Sequence, residues 1–152
     1  MILNEKIKLL SKLGGILDSL AEGKPWPGFQ IGLSKSEYEE FDALMSKVQH
    51  HNGWFTKEAV QTAFKGIAAW LTEENLTHWV NQYSFKVTSP KRVAIIMAGN
   101  IPLVGFHDFL SVFLSGHKAI IKLSSSDQHL MRAILHYLKV MDARMEEYVE
   151  IK

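Results

Sequence analysis

The stretch that decides the fold is "VAIIMAGNIPLVGFHDFL", residues 93–110. Its first letters form a short, continuous run rich in β-branched residues, which predicts a parallel strand buried on both faces. The chain then leaves the strand through residues 98–100, an Ala-Gly-Asn turn. Pro102 has no amide proton and a fixed φ, so we expect the next helix to begin there and to end at Gly116.

The residues that follow repeat this pattern. "HKAIIKL", residues 117–123, is a second short apolar strand, and Ser125 with Gln128 forms a capping box ahead of another helix. The final letters, "YVEIK", suit the start of a third strand. The order of elements after residue 90 is therefore β-α-β-α.

The earlier part of the chain has helical spacing. Apolar residues three or four apart indicate an amphipathic helix over residues 1–22. Ser34 and Glu37 form a capping box for a second helix, and Thr56 and Thr72 suit the N-caps of two more. We expect helices throughout this part.

These patterns together predict an α/β fold with two regions. Residues 1–89 form a helical N-terminal region, and residues 90–152 form a partial Rossmann-like β-α-β-α unit with parallel strands. A length of 152 residues with 47% hydrophobic composition suits a packed unit of common domain size.

Charge and hydropathy exclude two classes of function. Lys and Arg number 17 against 16 Asp and Glu, and no local basic run offers a stripe for nucleic acid. The longest apolar stretch is about half of the ~20 residues that a membrane span needs, and the first residues lack the layout of a signal peptide. We expect a cytoplasmic protein with no nucleic-acid partner and no membrane span.

The chain contains no cysteine, and its histidines show no ligand spacing. We therefore expect no disulfide and no bound metal. His107 and Asp108 cannot form a catalytic pair, because adjacent positions on a helix point about 100° apart. The tryptophans have no basic groove beside them, so we expect them to pack in the core or in loops.

The letters "VAIIMAGNIPLVGFHDFLSVFLSGHKAIIKLSSSD", residues 93–127, resemble the start of the cofactor domain of the aldehyde dehydrogenase superfamily. In that superfamily a strand ends in a Pro-Trp-Asn turn, and a helix and a glycine then lead to a strand that ends in Lys-Pro-Ser-Glu. Residues 98–100 match the first turn, Gly116 the glycine, and residues 122–125 the second turn. The letters "AGNIPLVGFHD", with "GWFT" upstream and "KLSSSD" downstream, are more similar to the acyl-CoA reductase branch, which includes the fatty acyl reductases of bacterial luminescence.

The resemblance implies an activity and a role for one residue. Such enzymes reduce a long-chain acyl thioester, presented as acyl-CoA, to an aldehyde with NADPH through a cysteine acyl-enzyme. The asparagine of the first turn donates to the oxyanion that forms, and Asn100 is the matching residue. A preorganised donor of this kind lowers the barrier by about 3 to 4 kcal/mol. The alternative role for Asn100 is a helix cap, because asparagine is a favoured N-cap residue.

The resemblance also implies that NADPH contacts both turns. Ala98 and Gly99 lie in the first turn, and Gly99 stands where the ordinary enzymes have a tryptophan. This glycine allows close approach by a cofactor or an acyl chain, or it serves the turn alone. Lys122 matches the lysine that contacts the adenosine ribose, and Ser124 and Ser125 follow it as further candidate cofactor residues.

Ser125 stands where the ordinary enzymes have a glutamate. A carboxylate there accepts from a ribose hydroxyl but repels a phosphate dianion, so a serine favours NADPH over NADH. Asp127 is close enough along the chain to restore a negative charge. Ser125 also suits a helix cap, as noted above.

The missing cysteine limits what this chain does by itself. In the family the nucleophile and a glycine-rich cofactor turn lie beyond the region matched here. The resemblance therefore implies an amino-terminal portion of an acyl-CoA reductase, with a truncated cofactor domain, that forms no acyl-enzyme alone. The alternative is a non-catalytic binding or assembly module, in which an exposed sheet edge pairs with a partner or with a second copy of the chain as a homo-oligomer.

Overall fold

Helices form the first part of the chain, as predicted. The computed structural model describes residues 1–84 and 89–152. The helix expected over residues 1–22 is confirmed, and three more follow it before the sheet. In order they are α1 (Leu3–Ala21), α2 (Lys35–Lys47), α3 (Lys57–Trp70) and α4 (Glu73–Val80).

The predicted caps satisfy the first turns of three of these helices. Ser34 Oγ accepts from the Glu37 amide at 3.3 Å, while the Glu37 carboxylate accepts from the Ser34 amide at 2.7 Å, which confirms the capping box. Thr56 and Thr72 each accept a hydrogen bond of 3.2 Å from the amide three residues later. Each cap supplies a partner to an amide that has none within its helix.

Helix α1 is the centre of the apolar core. Its Leu10, Leu13 and Ile16 are completely buried, and burial of each such side chain stabilises the fold by about 1.5 to 3 kcal/mol. Gly14 brings α1 close to the end of α3, because a Cβ there would lie 2.8 Å from the Leu71 Cβ. The core therefore depends on close contact between α1 and α3 as well as on apolar area.

Lys6 joins α1 to the second part of the chain. Its side chain is buried, and Nζ donates to the Phe113 carbonyl at 2.8 Å, near the end of α5 (Phe106–Leu114). The Phe113 and Tyr148 ring centres lie 5.0 and 4.6 Å from Nζ. Burial lowers the pKa of Lys6 to about 8. A cation at this end of a helix is favoured by the helix dipole, so the contact stabilises the position of α5.

The rest of the chain forms a small parallel sheet, which confirms the predicted α/β fold. Its strands β1 (Arg92–Ile96), β2 (Lys118–Lys122) and β3 (Val149–Ile151) lie in that order. Helix α5 joins β1 to β2, and α6 (Gln128–Met141) with a 3₁₀ segment (Ala143–Glu147) joins β2 to β3. The strand predicted at the end of the chain is present.

The prediction that β1 is buried on both faces is wrong. Ile95 is buried, whereas its neighbours Ala94 and Ile96 are exposed, Ile96 by 82%. Right-handed crossovers between parallel strands in the order β1-β2-β3 place both connecting helices on one face of the sheet. The opposite face of β1 therefore meets solvent.

Helix α5 begins at Phe106 rather than at Pro102. Residues 101–104 form a turn instead, closed by a hydrogen bond of 3.4 Å from the last amide to the first carbonyl. Leu103, the third residue of this turn, has a φ of 60°. Proline at the second position and a positive φ at the third are the arrangement of a type II turn. Proline suits this position as well as it suits the start of a helix, so the sequence pattern does not separate the two.

The capping box predicted for Ser125 and Gln128 is absent. Helix α6 begins at Gln128 with Asp127 at the N-cap position and no side-chain hydrogen bond to the helix. The preceding loop forms its own turn, in which the Ser126 amide donates to Ser124 Oγ and the Asp127 amide donates to the Ser124 carbonyl, both at 3.2 Å. These bonds turn the chain before Ser125 can reach the first turn of α6.

Candidate functional site

The loops that leave β1 and β2 meet at the carboxyl edge of the sheet. Ile96 pairs with Lys122 in the parallel register, and the Met97 amide donates to the Lys122 carbonyl at 3.0 Å. Both strands end at this level, so the loop that carries Asn100 lies beside the loop that begins at residue 123. Open α/β sheets bind their ligands at this edge.

A polar cleft of about 560 Å³ opens between these loops. Its walls are residues 51–54, from the segment before α3, together with Gly99, Asn100 and Ser126. Three separate parts of the chain therefore contribute to one site. Two of the predicted site residues, Gly99 and Asn100, are among its walls.

Asn100 is exposed in this cleft. Its side chain makes no hydrogen bond with any residue that the structure describes. Helix α5 begins at Phe106 with Gly105 at the N-cap position, so the alternative role of Asn100 as the cap of this helix is wrong. The amide of Asn100 is available to donate to a ligand.

Gly99 lies where the two loops touch. A Cβ at this position would lie 2.7 Å from the Ser124 Cβ and 3.1 Å from the Ser126 Cβ. Carbon atoms in contact are normally about 3.5 to 4 Å apart, so only glycine allows the loops to approach this closely. Ser124 fills the space that a side chain at Gly99 would occupy. The sequence left two roles open for Gly99, which are close approach by a ligand and the turn alone. This geometry supports the role in the turn.

The other candidate cofactor residues lie outside the walls of the cleft. The side chains of Lys122 and Ser125 are exposed, and neither side chain makes a hydrogen bond or an ion pair within the described part of the chain. Ala98 is also exposed. Ser124 is half-buried, and its Oγ accepts from the amide two residues later. Lys122 and Ser125 are therefore open to a ligand that extends beyond the cleft.

The sequence did not reveal the wall formed by residues 51–54. Asn52 Nδ2 donates to the Ser126 carbonyl at 3.2 Å, and Asn52 Oδ1 accepts from the Trp54 amide at 3.0 Å. Trp54 is 83% exposed, so the prediction that the tryptophans are packed is wrong for this residue. The motif "GWFT", which begins within this wall, is the part of the sequence that could have indicated it.

Asp127 is a buried carboxylate that contacts the loop after β1. Its side chain is 7% exposed, and Oδ2 accepts from the Leu103 amide at 2.5 Å. Oδ1 is buried and has no partner among the residues that the structure describes. Burial raises the pKa of Asp127 to about 6, and the hydrogen bond from Leu103 opposes this rise. The Asp127 carboxylate, which the sequence places near Ser125, is therefore hydrogen-bonded to the Leu103 amide.

A second, mostly apolar cavity of about 400 Å³ lies against α5. It is lined by Trp70, Asn75, Trp79, His107 and Leu110. The His107 ring centre lies 5.9 Å from that of Trp70 and 5.7 Å from that of Trp79. These ring contacts account for the position of the His107 side chain, and no catalytic role is needed to explain it.

The groups that line the polar cleft are amides, a hydroxyl, an imidazole and an indole. Across residues 1–84 and 89–152, no three histidine, aspartate or glutamate side chains are placed to hold a metal ion. No helix in the same part of the chain combines the length and the apolar composition that a membrane span needs.

One family model covers most of the chain. The model described as acyl-CoA reductase (LuxC) matches residues 33–151. The chain belongs to this family. The part that matches the acyl-CoA reductases includes every wall of the polar cleft. No curated protein and no solved structure matches the chain.

Membership in the acyl-CoA reductase family confirms the resemblance seen in residues 93–127. It relates the chain to oxidoreductases that act on acyl-CoA. Helix α1 lies before the matched residues, yet it supplies the centre of the core.

Proposed function

We propose that this chain supplies the oxyanion donor and part of the NADPH site of a cytoplasmic reductase that converts a long-chain acyl-CoA to an aldehyde. The observation that carries the proposal is the Asn100 amide in the cleft at the carboxyl edge of the sheet, which has no partner among residues 1–84 and 89–152. A donor that no described residue engages is available to the substrate. Family membership supports the same class of substrate.

The reaction needs a thiolate from outside this chain, because the sequence contains no cysteine. Attack of that thiolate on the acyl carbonyl forms a C–S bond and an oxyanion, which collapses as the CoA thiolate leaves and takes a proton. NADPH held near Lys122 and Ser125 would supply the hydride that reduces this thioester through a second oxyanion to the aldehyde, with release of the thiolate. The Asn100 amide donates to the oxygen at both stages, where one donor is worth about 3 to 4 kcal/mol. By itself the chain forms no acyl-enzyme.

A preference for NADPH over NADH follows from the charges near the end of β2. Lys122 offers an exposed ammonium, and Ser125 adds no carboxylate beside it. Asp127 is buried and its Oδ2 accepts from the Leu103 amide, so this carboxylate is not exposed beside Lys122. We expect kcat/KM to be higher with NADPH and to shift toward NADH in Ser125→Glu. Higher kcat/KM with NADH in the unchanged protein would contradict this part of the proposal.

Asn100→Ala tests the proposal in the protein expressed from the complete reading frame that encodes this chain. We expect kcat for acyl-CoA reduction to fall about 10²- to 10³-fold with little change in KM, because the donor acts on charge that develops in the transition state. Asn4→Ala removes an exposed amide of α1 outside the cleft, so it is the matched control and keeps the original rate. A normal kcat in Asn100→Ala would exclude the oxyanion role.

A further inference from the structure

We propose that Asp127 is a positioning residue, whose carboxylate holds the turn of residues 101–104 and, through that turn, directs the Asn100 amide into the cleft. The consequence of this for catalysis rests on the proposed function. The positioning itself does not, because it concerns the geometry of the chain without a ligand.

The turn has to be held because Leu103 is strained. Its φ of 60° lies in the left-handed region, which costs a residue with a Cβ about 1 to 2 kcal/mol. The Leu103 side chain is buried, at 3% exposed, and this burial offsets the strain. The amide is buried with it, so it needs an acceptor from the protein.

Asp127 supplies that acceptor from a fixed position. Oδ2 accepts from the Leu103 amide at 2.5 Å, and a carboxylate oxygen is a strong acceptor for a backbone amide. The Asp127 backbone is fixed by its own amide, which donates to the Ser124 carbonyl at 3.2 Å, and by the helix that begins at the next residue. The carboxylate therefore ties a strained turn after β1 to the rigid start of α6.

An ionised carboxylate at this contact destabilises the fold. Oδ1 is buried without a partner in the described part of the chain, and burial raises the Asp127 pKa to about 6. An asparagine would accept the same hydrogen bond without burying a charge. A group that destabilises the fold beside a ligand cleft is typical of a functional site rather than of a simple structural contact.

Asn100 directly precedes the turn that Asp127 holds. The position of its backbone depends on the turn of residues 101–104, and no described residue binds its side-chain amide. A displacement of about 1 Å in a catalytic group can cost about 10²-fold in rate. Release of the turn would therefore misplace the donor without removing it.

Nuclear magnetic resonance on the 152-residue chain tests the positioning. In Asp127→Ala we expect the Leu103 amide to exchange with solvent about tenfold faster or more, relative to the helix amides, and the Asn100 side-chain resonances to shift or broaden. Asp127→Asn keeps an acceptor oxygen, so it should restore protection of the Leu103 amide. Thr72→Ala, which removes a cap bond on α4, is the control for lost stability and leaves the Asn100 resonances in place.

A pH titration adds a readout that packing alone would not change. The Asn100 resonances should titrate near pH 6 in the unchanged chain and lose this titration in Asp127→Asn. No charged side chain in the described residues contributes to the Asp127 pKa shift. His51 and His129, whose ring centres are 4.0 Å apart, are the other titratable groups at these loops, and burial lowers the pKa of His129. A pH dependence of the Asn100 resonances that persists in Asp127→Asn is caused by groups other than Asp127 and overturns the inference.

Unchanged Leu103 protection and unchanged Asn100 resonances in Asp127→Ala would also overturn it. If Asp127→Ala does not fold, the titration in Asp127→Asn decides the question. In the protein from the complete reading frame, Asp127→Ala should lower kcat, and combining it with Asn100→Ala should lower kcat no further. A normal kcat in Asn100→Ala would refute the proposed function but would leave the resonance data, and hence the positioning, intact.

Discussion

Gly99 and Asp127 shape the cleft in different ways. Gly99 lets the loops after β1 and β2 approach because it lacks a side chain, and Asp127 holds the same loops together through a buried carboxylate. The partner of Asp127 is Leu103, 24 positions away along the chain. Neither contact has a local signature in the sequence, because each depends on the pairing of β1 with β2.

Gly99→Ala should destabilise the fold and disturb the cleft. Its Cβ would lie 2.7 Å from the Ser124 Cβ, and relief of such an overlap typically costs about 1 to 3 kcal/mol. We expect Ser124→Gly to recover part of this loss when the two changes are combined. Gly66→Ala on α3 is the matched control, since a Cβ there meets nothing within 4 Å and should stabilise the helix by about 0.5 to 1 kcal/mol. Equal free energies of unfolding for the two variants, measured in urea, would contradict the steric argument.

Asp127→Asn should change how stability depends on pH. The folded pKa of about 6 lies above the ordinary value of 3.8, so the folded chain holds this proton more tightly than the unfolded chain does. The buried charge therefore destabilises the fold progressively as pH rises from about 4 to 6, and fully above 6. The free energy of unfolding of Asp127→Asn minus that of the unchanged chain should therefore increase by about 1 to 3 kcal/mol from pH 4 to pH 7.5. Urea unfolding of both proteins at the two pH values measures this difference in stability. If the difference is the same at both pH values, the Asp127 charge is not buried.

Helix starts show where local rules succeed and where they fail. Ser34, Thr56 and Thr72 cap the helices that the sequence assigns to them, because each partner amide lies three residues away. Ser125 fits the same pattern, yet the loop turns at Ser124 and places Asp127 at the N-cap position. The local rule fails where a loop has to pack against a neighbouring loop.

Alanine substitutions at the two serines separate these cases. Ser34→Ala removes a cap that accepts from the Glu37 amide, and we expect it to cost about 0.5 to 2 kcal/mol. Ser125→Ala should change the free energy of unfolding by less than about 0.5 kcal/mol, because this exposed side chain caps nothing. Thermal unfolding of both variants gives the comparison. A loss in Ser125→Ala as large as that in Ser34→Ala would mean that Ser125 caps α6 in solution.

For the whole molecule, the main consequence of the topology is a sheet with one open face. Both connecting helices lie on the same side, so Ala94 and Ile96 of β1 meet solvent. The Met97 amide points to β2, and by alternation the amides of Ala94 and Ile96 point to the edge of β1 that pairs with no strand in the described residues. An exposed edge with an apolar side chain is the kind of surface that pairs with another chain.

We therefore expect the chain to self-associate through β1 as its concentration rises. Ile96→Lys should reduce the associated fraction in analytical ultracentrifugation, because it places a charge on the open face. Val140→Lys changes an exposed apolar residue of α6, away from the sheet, and serves as the control. A monomer at all concentrations would exclude this interface. Self-association, combined with no reductase activity in the protein from the complete reading frame, would favour the non-catalytic assembly module.

The sequence by itself determined the elements and the family of this protein. Helix spacing, three of the caps, the β-α-β-α order and the letters of residues 93–127 are local properties, so they can be read without coordinates. The tertiary structure alone decided that Pro102 lies in a turn, that β1 is open on one face, and that Asp127 holds Leu103. It also decided that Trp54 and Asn100 line the same cleft. These features depend on contacts between distant residues, and such contacts exist only after the strands have paired and fixed which loops meet.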